Sequence, residues 1–192
     1  MTKAEQRAAD ALSEHAEFGK LNLVHIRKNV ARLLGLIGRD GIFTEYTLHD
    51  FSHIEAMLGM LDWLIPKATQ DAMTPADWLL IVLSCYFHDA GILVTGSEYA
   101  ARGDNEAYIR FRDNVLLGGD DAADYTDRLS QDEDERERFF YQEFVRSCHA
   151  ERAAYWVEGN ASSEFGATHE TVDAIEDLLG GLNEMLRGDV AL

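Results

Sequence analysis

The chain has 192 residues, which is long enough for one sizeable core, and we expect a single domain over residues 1–192. Apolar residues make up 46% and charged residues 27% of the chain, a balance typical of a folded soluble protein. The formal net charge is −18, from 17 basic and 35 acidic residues, and a surface of this sign repels a phosphate backbone. Extended DNA or RNA is therefore not an expected partner.

The sequence also argues against a membrane or secreted location. No apolar run reaches the roughly 18 to 20 residues that span a bilayer. The N-terminus lacks the basic and apolar pattern of a secretory signal. The only two cysteines, Cys85 and Cys148, lie on predicted helices and indicate core thiols in a reducing compartment. We expect a cytoplasmic protein.

Helix is predicted through most of the chain, because helix-forming residues are abundant and the only prolines are Pro66 and Pro75. Thr74 followed by Pro75 is typical of a helix start, and Gly91 of a helix end. No strand pattern longer than a few residues occurs, so the predicted fold class is all-α. In chain order the predicted helices cover about residues 3–16, 21–37, 49–65, 75–89, part of 105–116, 138–157 and 168–186.

The most acidic stretch runs from Asp120 to Glu137 and contains nine carboxylates. Such a tract can attract metal ions. More often it is a solvated helix face or loop, and we favour that interpretation.

The strongest candidate for a functional site is the pair His88-Asp89, which closes the apolar run Trp78–Phe87. Ionisable groups are costly beside an apolar helix unless they are paired or bound to a metal. On a regular helix two adjacent side chains diverge by about 100°. Both can therefore reach one ion only near a helix end, which Gly91 supplies.

Other histidines are candidates to complete this site. His49 and His53 lie four residues apart, so they project from the same face of the preceding helix. Imidazole and carboxylate groups that converge from different helices suit a divalent cation such as Mn²⁺, Fe²⁺ or Zn²⁺. His49 alone is more often a surface or hydrogen-bonded histidine. His149 is either a surface histidine or a further ligand.

The order of His53 followed by His88-Asp89 resembles the HD superfamily of metal-dependent phosphohydrolases, and within it the HD-CE-like domains. In that branch a Tyr-Thr-x-His-x-x-x-His segment precedes a His-Asp pair that ends an apolar helix and is trailed by Gly and Ile or Met. A His-x-Glu-Arg segment lies on a later helix. The resemblance covers about residues 20–158, with these segments at Tyr46–His53, His88–Ile92 and His149–Arg152.

The resemblance implies an all-α HD-domain helical bundle that hydrolyses phosphomonoesters, phosphodiesters or nucleotides with a metal-activated water. It implies that His53, His88 and Asp89 bind one divalent cation, and that His149 and His49 hold a second ion or contact phosphate. Asp89 would also orient the water. Arg152 would neutralise phosphate charge, or fix Asp89 or Glu151. The cation (Mn, Fe, Zn, Mg, Ni or Co) stays open, and the expected partner is a small phosphorylated substrate.

One element of the family's site has no convincing counterpart, the distal aspartate of a late helix. Asp173 and Asp177 lack the Leu-x-x-Ala-Asp context, and Asp189 lies beside the C-terminus. HD-CE-like domains also usually continue past this length. The chain is then a truncated unit, a fragment of a longer protein with additional domains, or a form with an incomplete site.

Three functional hypotheses follow from these patterns. The first is a metal-dependent phosphohydrolase that acts on a nucleotide or another small phosphate ester. The second is a catalytically incomplete HD scaffold, regulatory or protein-binding, whose acidic face serves as a partner surface. The third is a helical bundle whose histidines are structural.

Overall fold

The structure is a computed structural model, and it describes residues 1–19, 21–35, 37, 42–43, 51–117 and 132–157. These residues contain eight α-helices and no strand, so the predicted all-α fold class is confirmed. Three short 3₁₀ turns lie between them, at Ala16–Phe18, Ala90–Ile92 and Ala101–Asp104. The helices are α1 (Lys3–Glu14), α2 (Leu23–Leu34), α3 (Phe51–Leu64), α4 (Lys67–Ala72), α5 (Pro75–Phe87), α6 (Gly96–Ala100), α7 (Glu106–Leu116) and α8 (Glu133–Val157).

The helix that leads to the candidate site begins as its sequence predicts. The side chain of Thr74 accepts a hydrogen bond from the backbone N–H of Asp77, and the Asp77 carboxylate accepts one from the backbone N–H of Thr74. This capping box satisfies two backbone donors at the start of α5, and Pro75 occupies the first turn. Trp78, Leu79, Val82 and Tyr86 then point into the core.

Two helices occur where the sequence analysis expected connections, and a third is longer than expected. The prolines at 66 and 75 enclose α4 rather than a plain loop, and α6 follows Thr95, whose side chain caps Glu98. The last described helix begins at Glu133 rather than Arg138, because Asp132 accepts a hydrogen bond from the backbone N–H of Glu135. Acidic residues in a first turn are favourable there, since the helix dipole is positive at that end.

Several sequence predictions concern residues outside the described ranges. His49, most of the acidic stretch 120–137, and the predicted helix 168–186 with Asp173 and Asp177 belong to this group. Asp189 lies outside them as well.

The two cysteines pack against the hydrophobic core and form no disulfide. Burial raises the pKa of both thiols, and that of Cys148 to about 11. The Cys148 thiol donates a hydrogen bond to the Phe144 carbonyl oxygen. The prediction of core thiols without a disulfide is therefore confirmed.

Among the described residues no single helix has both the length and the apolar composition that crossing a membrane requires. One bent pair, Pro75–Ile92 with Gly96–Asp104, meets those two criteria when taken together.

A buried carboxylate links the N-terminal helix to the helices of the candidate site. Glu5 in α1 is fully buried, and it accepts hydrogen bonds from the Tyr86 hydroxyl (2.6 Å) and from Arg27 Nε (3.1 Å). The Arg27 guanidinium also pairs with Glu55 and lies 4.6 Å from the centre of the Phe51 ring. Glu5 and Arg27 therefore tie α1 and α2 to both α3 and α5.

We expect the Glu5 carboxylate to stabilise the fold in a pH-dependent way. Burial alone would raise the pKa of Glu5, but hydrogen bonds from Tyr86 and Thr2 and the charge of Arg27 lower it below its ordinary value of 4.5. A lowered pKa in the folded state gives stability that is present above pH 4.5 and is lost as the pH falls through the folded-state pKa. Glu5→Gln should therefore cost about 1–3 kcal/mol of unfolding free energy at pH 7, and less at pH 3.

Urea unfolding of both proteins at pH 7, 5, 4 and 3 measures this difference. The exposed Glu106→Gln variant is the matched control, and its stability should follow that of the unmodified chain at each pH. A gap between Glu5→Gln and the unmodified chain that stays constant down to pH 3 contradicts the assignment.

Candidate metal centre

Three residues from two helices bring potential metal ligands together. One ligand atom each from His53, His88 and Asp89 lie within 4.8 Å of one another. Asp89 Oδ2 is 2.9 Å from His88 Nε2 and 4.0 Å from His53 Nε2. The two imidazole rings lie 5.5 Å apart, centre to centre. Two imidazoles and a carboxylate are a donor set that suits Mn²⁺, Fe²⁺ or Zn²⁺, and the spacing of these atoms fits one shared cation.

The end of α5 allows adjacent residues to face the same point. The helix stops at Phe87, His88 keeps helical dihedral angles, and Asp89 has φ −99° and ψ 0°. That combination lies in the sparsely populated bridge region, where many active-site residues are found. The departure from helical geometry directs both side chains to one side, as the sequence analysis expected from the helix end near Gly91.

The backbone fixes the ring of His88. Its Nδ1 lies 2.8 Å from the carbonyl oxygen of Cys85, and because a carbonyl only accepts, Nδ1 carries the hydrogen. Nε2 is then the nitrogen left for a cation, the arrangement in which an outer partner orients a metal-binding histidine. The hydrogen bond to Asp89 raises the pKa of His88 above its ordinary value of 6.5, more than burial lowers it.

The three groups differ in their exposure to solvent. The Asp89 side chain is 8% exposed, that of His88 31%, and that of His53 41%. Asp89 is therefore the buried floor of the cluster. His53 is the most exposed of the three.

The turn after Asp89 lies directly against α8. A Cβ atom added to Gly91 would stand 1.9 Å from the carbonyl oxygen of His149 and 2.9 Å from the backbone nitrogen of Ala153. Only glycine permits this approach. The close contact sets His149 beside the site, although His149 is not part of the group of three.

A buried ion pair holds this turn in place. Arg152 is fully buried, and its guanidinium donates hydrogen bonds to the carbonyl oxygens of Gly91 (2.8 Å) and Leu93 (3.0 Å). It also pairs with the buried carboxylate of Glu98 at 2.8 Å, which accepts a further hydrogen bond from Tyr141. Burial disfavours the charged form, but the Glu98 carboxylate raises the pKa of Arg152, so the guanidinium stays protonated.

The structure brings together His53, His88 and Asp89, three of the five metal ligands expected from the sequence. His149 donates from Nδ1 to the carbonyl oxygen of Arg146 and lines the same pocket as His88, so its part in a second ion stays a prediction. His49 lies outside the described residues. The catalytic role expected for Arg152 also stays a prediction. Its burial and its bonds to Gly91, Leu93 and Glu98 suit positioning better than phosphate contact.

Sequence reasoning missed Glu98, Tyr141 and Glu5. Glu98 meets Arg152, and Tyr141 meets Glu98, only in the fold, and no spacing in the chain signals either contact. Glu98 follows the capping residue Thr95 and looks from the sequence like an ordinary acidic residue of a first turn.

Comparison with known proteins identifies one family. The HD-CE family model matches residues 43–192, which is most of the chain. No curated protein and no solved structure matches it.

The ion pair gives a prediction that separates positioning from catalysis. Removing one partner of a buried ion pair leaves an uncompensated charge and typically costs about 3–5 kcal/mol. Glu98→Gln and Arg152→Met should each lower the unfolding free energy by about this amount, and both should weaken metal retention. Thermal unfolding and elemental analysis measure the two effects.

The exposed pair Arg110–Glu106 of α7 supplies the control, since Glu106→Gln should cost well under about 1 kcal/mol. A phosphate-binding arginine would behave differently. If Arg152→Met keeps its stability and metal and loses only turnover, the positioning role is wrong.

Proposed function

Because the chain belongs to the HD-CE family, we propose that it is a metal-dependent phosphohydrolase of a nucleotide or another small phosphate ester. The observation that carries the proposal is the convergence of His53, His88 and Asp89, whose ligand atoms lie within 4.8 Å of one another. A bound cation would offset the cost of burying a carboxylate beside two imidazoles at this helix end, since ionisable groups are otherwise costly to bury.

The chemistry follows from what each residue can do. When bound, a divalent cation lowers the pKa of a coordinated water and offsets the charge of phosphoryl oxygens. His53, His88 and Asp89 would hold that cation, with His88 oriented by the Cys85 carbonyl. Asp89, buried at the centre of the three, is also the group placed to orient the attacking water by accepting its hydrogen bond. Arg152 and Glu98 keep Asp89's turn in position.

Electrostatics limit the kind of substrate. The chain carries a formal charge of −18, so an anion gains little from the overall field. A bound cation reverses the field locally and makes a small anionic substrate acceptable. We therefore propose a small phosphate ester rather than a nucleic acid, and a cytoplasmic protein, as its unpaired thiols support.

We also propose that α1 and α2 form one domain with the HD-CE match. The match begins at residue 43, after both helices. Glu5 and Arg27 nevertheless bond to Tyr86 and Glu55 within it. These contacts support a single unit.

A catalytically incomplete regulatory or protein-binding domain is the second candidate function. It is favoured by one sequence observation, the lack of a convincing distal aspartate in the contexts of Asp173, Asp177 and Asp189. A site that binds metal but lacks a ligand for catalysis would retain the scaffold and serve a partner through its acidic surface.

Metal binding is the first test. The double variant His88→Ala with Asp89→Ala should lose the bound cation and remain helical, because these side chains lie at a helix end rather than within the hydrophobic core. Elemental analysis after dialysis and circular dichroism measure the two properties. His25→Ala, which removes an exposed histidine of α2, is the control and should keep its metal. Undiminished metal in the double variant would defeat the assignment.

Hydrolysis is the second test. The protein loaded with Mn²⁺, Mg²⁺, Ni²⁺ or Co²⁺ should hydrolyse at least one member of a panel of nucleotides, phosphomonoesters and phosphodiesters. A metal supplies several kcal/mol of transition-state stabilisation, so His53→Ala should lower kcat/KM by about a thousandfold. His25→Ala should leave it unchanged. Metal binding without turnover above the level of the double variant would favour the regulatory alternative.

A further inference from the structure

An apolar pocket of about 530 Å³ opens beside the candidate metal centre. Its walls come from α2, α5 and α8, and include Ile26, Leu83, Phe87, Ala150, Ala153 and Ala154. His88 belongs both to this wall and to the group of three ligands, so the pocket and the metal centre share a side chain. The volume lies within the range of roughly 300–1,000 Å³ that is usual for small-molecule sites.

The few polar groups of this wall are largely engaged. Ser84 donates its hydroxyl hydrogen to the carbonyl oxygen of Leu80, and His149 donates from Nδ1 to that of Arg146. Within the described part of the chain, no Lys, Arg, Asp or Glu lines the pocket. Such a wall offers little to a second phosphate or to a polyhydroxyl sugar, because polar groups lose their water there without replacement.

We propose that this pocket takes the apolar group, aromatic or aliphatic, of a phosphate ester whose single phosphate lies at the metal centre. The inference rests on the proposed hydrolase function and narrows its substrate class. Polyphosphates and small sugar phosphates fit the wall poorly. An ester that combines one phosphate with a ring or a short alkyl chain places its charge beside the cation and its apolar part against Phe87 and the alanines.

Small residues on α8 keep the pocket open. Ala150 and Ala154 lie one turn apart on the face of α8 that lines it, and both are exposed to solvent. A larger side chain at either position extends into the pocket without entering the hydrophobic core. These two alanines therefore allow a test in which folding is preserved.

The test compares two ligands that cannot be hydrolysed, 1-naphthylmethylphosphonate and methylphosphonate. Isothermal titration measures their binding to the Mn²⁺-loaded protein. Burying the ring should make the naphthyl compound bind about tenfold or more tightly than the methyl compound. Ala154→Leu and Ala150→Leu should reduce this preference to about threefold or less, while methylphosphonate binding stays unchanged.

Ala72→Leu is the matched control, because Ala72 is an exposed alanine at the end of α4 that does not line the pocket. It should keep the preference of the unmodified protein. Circular dichroism verifies that each variant is folded.

The results separate this inference from the proposed function. Equal affinity for the two phosphonates, or a preference that persists in both leucine variants, overturns the apolar pocket while leaving the hydrolase intact. If neither phosphonate binds in a metal-dependent manner and no ester of the panel is hydrolysed, the hydrolase proposal fails and the pocket loses its role with it. If mononucleotides bind as tightly as the naphthyl compound and Ala154→Leu weakens their binding, the pocket accepts a nucleobase as its apolar group.

Discussion

The close approach between Gly91 and the backbone of α8 is the constraint on which the site depends. A Cβ at this position would lie 1.9 Å from the carbonyl oxygen of His149, a distance that atoms do not tolerate. The turn begins directly after Asp89, so the position of the turn determines where the Asp89 carboxylate lies. A displaced turn would carry Asp89 away from His53, which comes from a different helix. The absence of a side chain at Gly91 is thus what allows the geometry of the cluster.

Two ion pairs secure the elements on either side of that contact, one fully buried and one between a buried carboxylate and a partly exposed arginine. Arg152 and Glu98 hold the turn after Asp89 against α8. Glu5 and Arg27 hold the other side, where α3 supplies His53 and α5 supplies His88. Buried ion pairs contribute little net stability, since desolvation offsets much of the attraction. Here they fix the positions of the elements they join. Any arrangement that separates the partners leaves a buried charge unpaired, and such arrangements are high in free energy.

The parts of the molecule that depend on local sequence were predictable. Thr74 and Pro75 mark the start of α5, and the run of apolar residues ending in His88-Asp89 signals both a buried helix and a site. The convergence of His53 with His88 and Asp89 was also expected, but the buried contacts that support it were not. Glu98 carries no sequence sign of its contact with Arg152, so the sequence left two roles open for Arg152, neutralising phosphate charge or fixing Asp89 or Glu151. The start of α8 was not predicted within the acidic stretch, because helix propensity alone does not show that Asp132 caps this helix.

The arrangement divides the site into a fixed part and a more open part. His88 and Asp89 are held by the Cys85 carbonyl and by the turn packed on α8, and little solvent reaches Asp89. His53 is 41% exposed, and its place depends on α3. That helix is anchored through Phe51 and Glu55 to Arg27, which lies before the residues matched by the HD-CE family. One of the three ligands is thus positioned in part by contacts that the family match does not include. α3 also packs on α5 within the match, where the ring centres of Phe51 and Tyr86 lie 5.6 Å apart. A chain that kept every matched residue but lost α2 would keep this contact and lose those that Arg27 makes with Phe51 and Glu55.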